Sequence, residues 1–118
     1  MAEGFANAYA PNLVEAASAG LEPAKRISRR MVAVMEERNI RVDGHAPRPL
    51  ADFDLDSFDL IVNLSGRSLP PSTARVLPVP LPDPAHGDMD LHRQVRGSVE
   101  RVVRTLLAKL HSAREIAA

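Results

Sequence analysis

The stretch Phe58-Asp59-Leu60-Ile61-Val62-Asn63-Leu64-Ser65-Gly66 limits what this chain can fold into more than any other. Its centre is of strand length, apolar on both faces and ended by Ser-Gly, which predicts a strand from Leu60 to Leu64. A strand apolar on both faces needs cover on both, and helices laid over a parallel sheet supply it.

The flanking segments supply those layers. Met1, Phe5 and Ala8/Tyr9 recur at helical spacing, so the first ten residues predict an amphipathic helix. That helix begins with no Ser, Thr, Asp or Asn to cap its first turn. The short apolar stretch Leu13 to Ala17, closed by Ser18-Ala19-Gly20, predicts a buried strand. A second helix is expected from Pro23, with Ala24, Ile27, Met31, Val34 and Met35 on one face and Lys25, Arg26, Arg29, Arg30, Glu36 and Glu37 mostly on the other. Asn39 suits a left-handed stop. RVDGHAPRPLADFD reads as a loop, and within the proline-dense RSLPPSTARVLPVPLPDPAHG only Val76 to Leu81 suits a strand. Pro78 and Pro80 cannot donate to a ladder, which places that strand at an edge. Val95, Val99, Val102, Val103, Leu106, Leu107 and Leu110 then form an apolar stripe through a last helix from about Leu91 to His111. The order is helix, strand, helix, strand, strand, helix, without an internal repeat.

At 118 residues, 45% of them hydrophobic, the chain suits one domain, spanning residues 1–118. Fifteen basic residues balance fifteen acidic ones, so no global field points to nucleic acid or an anionic membrane. There is no run long enough to span a bilayer and no basic-then-apolar leader, so the expected location is cytoplasmic. The cysteine count is zero, which removes disulfides, thiolate metal sites and any cysteine nucleophile from the chain as written.

Five segments, in order, resemble the low-molecular-weight protein tyrosine phosphatases and the arsenate reductases that share their fold. MAEGF is similar to the start of the helix after the family's phosphate loop, and SAGLEP to the turn after its second strand. VMEERNIRVDGHAPRPL is similar to its helix-to-loop stretch, FDLIVNLSG to its third strand and LPDPA to its general-acid loop. The resemblance implies an α/β three-layer sandwich, a parallel sheet flanked by helices, minus the family's first, central strand. It also implies that this strand and a Cys-x5-Arg loop would precede Met1; the loop cradles an oxyanion against the helix N-terminus and supplies the thiolate. On the same ground Asp83 of LPDPA is the general acid, protonating the leaving oxygen between Pro82 and Pro84. Ala85 and His86 follow where phosphatases often carry aromatic residues, and His86 is near enough in sequence to tune Asp83. Thioredoxin-coupled reductases need a further cysteine just after the third strand; Ser65 occupies that neighbourhood and Leu69-Pro70 the later one.

Two readings stay open. One is a phosphatase-type enzyme whose nucleophile is encoded upstream; the other is a degenerate, non-catalytic paralogue serving as a binding or assembly module. Either way, the chain as written is expected to be inactive. A phosphate- or arsenate-type oxyanion is a partner only if an upstream loop exists, and homo-oligomers through exposed strand edges are a further expectation. No cofactor or metal is implied. Asp52, Asp54, Asp56 and Asp59 lack the turn glycine and closing glutamate of a calcium loop, and read as a solvated loop. His45, His86, His92 and His111 lack zinc-pair spacing and read as surface or loop residues. Arg93, Arg96, Arg101 and Arg104 read, with Glu100, as an ordinary solvated helix face.

Overall fold

The computed structural model describes residues 1–21, 27–44, 46–84 and 87–117, with side chains as far as residue 111. Among the described residues three helices and two strands carry the fold: α1 (Ala2–Tyr9), α2 (Arg29–Glu36), β1 (Leu60–Asn63), β2 (Arg75–Pro78) and α3 (Met89–Ala117). Two 3-10 turns, Leu50–Asp52 and Leu55–Ser57, lead into β1.

The core follows from the apolar spacing. Phe5 of α1, Val34 and Met35 of α2, Ile40 and Val42 beyond it, and Val95, Val99 and Val103 of α3 are its buried members. α3 packs against both other helices. Gly4 lets α1 lie close on the segment after α2: a Cβ there would stand 3.2 Å from Val42 Cγ1 and 3.3 Å from both Ile40 Cγ2 and Met35 Cε.

Helix ends obey local rules where these apply. Asn39 takes φ 59°. Around it the Asn39 N–H bonds the Glu36 carbonyl at 2.9 Å and the Ile40 N–H the Met35 carbonyl at 3.1 Å, a Schellman closure with its apolar Met35–Ile40 pair buried. α1 starts without a side-chain cap. α2 does not begin at Pro23: Ser28 is extended, at ψ 153°, and its hydroxyl accepts from the Met31 N–H, so the helix starts at Arg29. Pro23, Ala24, Lys25 and Arg26 lie outside the described residues. α3 starts two residues earlier than expected, because the Asp88 carboxylate accepts from the Leu91 N–H at 2.8 Å, and it runs on past His111.

The sheet is smaller than expected. β1 and β2 pair in parallel, Leu60 opposite Arg75 through Asn63 opposite Pro78. Val79 and Leu81 prolong the contact by donating to the carbonyls of Asn63 (2.9 Å) and Leu64 (3.0 Å). Pro78 and Pro80 therefore fall on the outward alternation, as an edge strand requires. Leu13 to Ala17 is not a strand. The N–H groups of Leu13 and Val14 turn back to the Ala10 carbonyl, and only Gly20 forms a parallel bridge, to Pro49. With no ladder to join, that apolar stretch stays irregular; among the described residues the sheet has two strands, not three.

Candidate functional site

Asp83 leaves the sheet two residues beyond Leu81, in the connection from β2 to α3. Its side chain is exposed while the next residue, Pro84, is buried, so the loop is anchored immediately after the carboxylate. The turn is fixed from both ends. The Gly87 N–H donates to the Pro84 carbonyl at 2.8 Å, and the Arg30 guanidinium of α2 donates to the Gly87 carbonyl at 2.7 Å. A Cβ at Gly87 would stand 2.3 Å from Leu91 Cδ2, so a side chain there would need the Leu91 side chain to shift. Arg30 escaped the sequence reading because its partner is a main-chain carbonyl, which no side-chain spacing announces. Ala85 and His86 lie outside the described residues, as does His45.

The uncapped start of α1 opens on a cleft of about 220 Å³ lined by Met1, Glu3, Gly4, Gly20, Met31 and Arg48 among others. Burial holds the Met1 α-amine below its ordinary value, with Glu3 opposing. Arg48 sits 4.4 Å from the centre of the Phe53 ring, and Glu3 accepts from the Ser18 hydroxyl at 3.0 Å. Asp83 does not line this cleft. Met1 at the N-cap and Ala2 of α1, Leu64 and Leu81 beyond the strands, and Met89 and Leu91 of α3 nevertheless pack against one core.

Ser65 closes the turn after β1. Its hydroxyl donates to Asn63 Oδ1 at 2.7 Å and accepts from the Arg67 N–H at 3.0 Å, with Gly66 at φ 73°. The aspartates before β1 work locally: Asp54 accepts from the Asp56 N–H, and Asp56 accepts from the Thr73 N–H at 2.7 Å.

Two expectations about α3 need correction. His92 is not a surface residue but 1% exposed, because it falls on the apolar face one turn before Val95 and Arg96. Its Nδ1 lies 2.7 Å from the Asp88 carbonyl, and its buried Nε2 has no hydrogen-bond partner among the described residues. Nor is the arginine face merely solvated. Arg93 grips Glu37 through Nε and NH2, and Arg96 NH1 reaches both Glu37 (2.6 Å) and the Val34 carbonyl (2.8 Å). Arg93 first and Arg96 second hold the Glu37 carboxyl down at about 2. Glu100 is buried too; the Tyr9 hydroxyl donates to it and holds its carboxyl below the ordinary range, helped by Arg104 and Arg38.

Known proteins carry the same plan. The family model described as low molecular weight phosphotyrosine protein phosphatase matches residues 1–116. A glutaredoxin arsenate reductase from Synechocystis sp. is 34% identical over 115 residues, covering 93% of this chain and 87% of the relative. An arsenate reductase solved in its phosphate-binding state superposes with a TM-score of 0.82 at 32% identity, covering 92% of this chain and 86% of that one. The arsenate reductase of Archaeoglobus fulgidus gives a TM-score of 0.79 at 31% identity, covering 91% and 87% respectively. The chain belongs to the low-molecular-weight phosphotyrosine protein phosphatase family, the fold that these arsenate reductases share.

Proposed function

We propose that this chain is one oxyanion-handling domain in which Asp83 is the general acid, and that the 118 residues as they stand turn over neither aryl phosphate nor arsenate. The observation that carries this reading is the cysteine count of zero beside an LPDPA loop held between β2 and α3. In thiolate chemistry, sulfur attacks phosphorus, the P–O bond to the leaving group breaks, and the acid delivers its proton to that oxygen. Asp83 can provide the proton; nothing in this chain provides the sulfur. A restored Cys-x5-Arg loop would set its backbone N–H groups at the uncapped start of α1, where an oxyanion would serve as the cap.

Hydrolysis is favoured over disulfide-coupled reduction. The Ser65 hydroxyl, closed into its turn, cannot form the disulfide that returns a reductase to its starting state. No helix among the described residues is long and apolar enough to cross a membrane, and we assign the domain to the cytoplasm, without a nucleic-acid partner. A second reading, a binding module, is favoured by one observation: β1 is paired along only one edge among the described residues.

The test has two arms. The purified chain is expected to show no aryl phosphatase activity above a matched blank. The same chain preceded by a strand and a Cys-x5-Arg loop is expected to gain it, and Asp83→Asn in that protein to lower it by about 10²–10⁴-fold, less for good leaving groups. Turnover by the unextended chain, or an extended enzyme indifferent to Asp83→Asn, would overturn the assignment.

A further inference from the structure

The loop that carries Asp83 is tied down at two points of different kinds. On the side of β2, the Leu81 N–H donates to the Leu64 carbonyl at 3.0 Å, so the chain just before Asp83 still belongs to the sheet. On the side of α3, the Gly87 carbonyl accepts from the Arg30 guanidinium at 2.7 Å, while the Gly87 N–H donates to the Pro84 carbonyl at 2.8 Å. The first tie joins main chain to main chain within one layer. The second is a single side chain from another helix, 57 residues away in sequence.

Arg30 is out of place on its own helix. It is the second residue of α2, where the helix dipole favours anions, and no acidic residue stands in that first turn. The residue is exposed, so burial does not hold it there. Among the described residues its guanidinium makes no ion pair and has one hydrogen-bond partner, the Gly87 carbonyl. Neither helix stability nor packing accounts for a cation at this position; the contact with the loop does.

The same turn of α2 borders the uncapped start of α1. Ile27 and Met31, flanking Arg30 in sequence, line the cleft there with Met1 and Gly4. Asp83 does not line that cleft, so its placement relative to an oxyanion held at α1 depends on what joins its loop to α2. Arg30 is such a join.

We propose that Arg30 is a positioning residue for the general acid: it fixes the loop at Gly87 against the first turn of α2 and so aims the Asp83 carboxyl at the leaving oxygen of a phosphate ester bound at the start of α1. Arg30 itself touches neither substrate nor reacting atoms. This inference rests on the reading of Asp83 as the general acid.

Two measurements test it. In the chain as it stands, Arg30→Ala is expected to speed amide exchange at Gly87 by about 10-fold, the worth of one hydrogen bond from a charged donor, and to leave Val99 and Val103 unchanged. The urea midpoint is expected to hold, because losing that bond also relieves a cation at a helix start, and Arg30→Lys to restore part of the protection. In the chain extended by a Cys-x5-Arg loop, Arg30→Ala is expected to lower kcat for phenyl phosphate by about 10–100-fold and to leave KM unchanged. The loss is expected to be small for 4-nitrophenyl phosphate, whose leaving group needs little protonation, and to vanish in the Asp83→Asn background. Unchanged exchange at Gly87, or faster exchange spread over α2 and α3 with a lowered midpoint, would overturn the proposal. So would a kcat loss that ignores the leaving group or persists beside Asp83→Asn. An extended enzyme indifferent to Asp83→Asn overturns the acid assignment and this inference with it, whereas one that needs Asp83 and not Arg30 overturns this inference alone.

Discussion

Replacing His92 by Phe should stabilise the protein, against the usual direction of a core substitution. The imidazole is 1% exposed; its Nδ1 is matched to the Asp88 carbonyl at 2.7 Å and its Nε2 to no partner among the described residues. An unsatisfied buried polar atom costs about 1–3 kcal/mol, and the bond to be lost is worth about 0.5–1.5 kcal/mol. Losing it orphans no acceptor, because the Asp88 carbonyl also takes the His92 N–H at 3.1 Å. The balance favours the variant by about 1 kcal/mol. With a urea m-value of about 1–3 kcal/mol per M, the unfolding midpoint should rise by about 0.5 M. Equilibrium urea unfolding followed by circular dichroism measures it, with His92→Leu as the smaller companion in case the phenyl ring overfills its site. If both variants lowered the midpoint, Nε2 would have a partner in solution and the reasoning would fail.

Two further outcomes follow from the helix contacts. The Glu37 carboxyl is held at about 2 against an ordinary 4.5, so its pairing with Arg93 and Arg96 stabilises the fold above pH 4.5 and the contribution is lost as pH falls toward 2. Glu37→Gln should therefore flatten the pH dependence of the thermal midpoint across that window and leave the remaining slope to groups such as Glu100; an unchanged profile would show the clamp to be open in solution. Phe5→Ala, at a position with 0% exposure between α1 and the core, should cost about 3–5 kcal/mol, a large share of the roughly 5–15 kcal/mol a domain has. Urea unfolding reads that loss, and one below about 1 kcal/mol would mean that α1 is not docked as described.

What could be read from the residues, and what could not, divides along a physical line. Periodicity is local, so Phe5, Val34, Met35 and the Val95–Val99–Val103 stripe announced their burial without knowledge of any neighbour. Asn39 and the two strand prolines were equally legible, because a left-handed stop and a missing N–H are properties of a single residue. The strand expected from Leu13 to Ala17 failed because a strand is a relation between two segments, and its side-chain pattern says nothing about whether a ladder partner lies alongside. His92 and Glu100 failed for the same kind of reason. A polar residue on an apolar stripe reads as exposed until the helix beside it is placed, and it was Tyr9 of α1, with Arg38 and Arg104, that made a buried Glu100 tolerable. The Asp83 loop falls between these cases: ordered motifs located it, while the contact that anchors its far side, Arg30 on the Gly87 carbonyl, has no sequence signature.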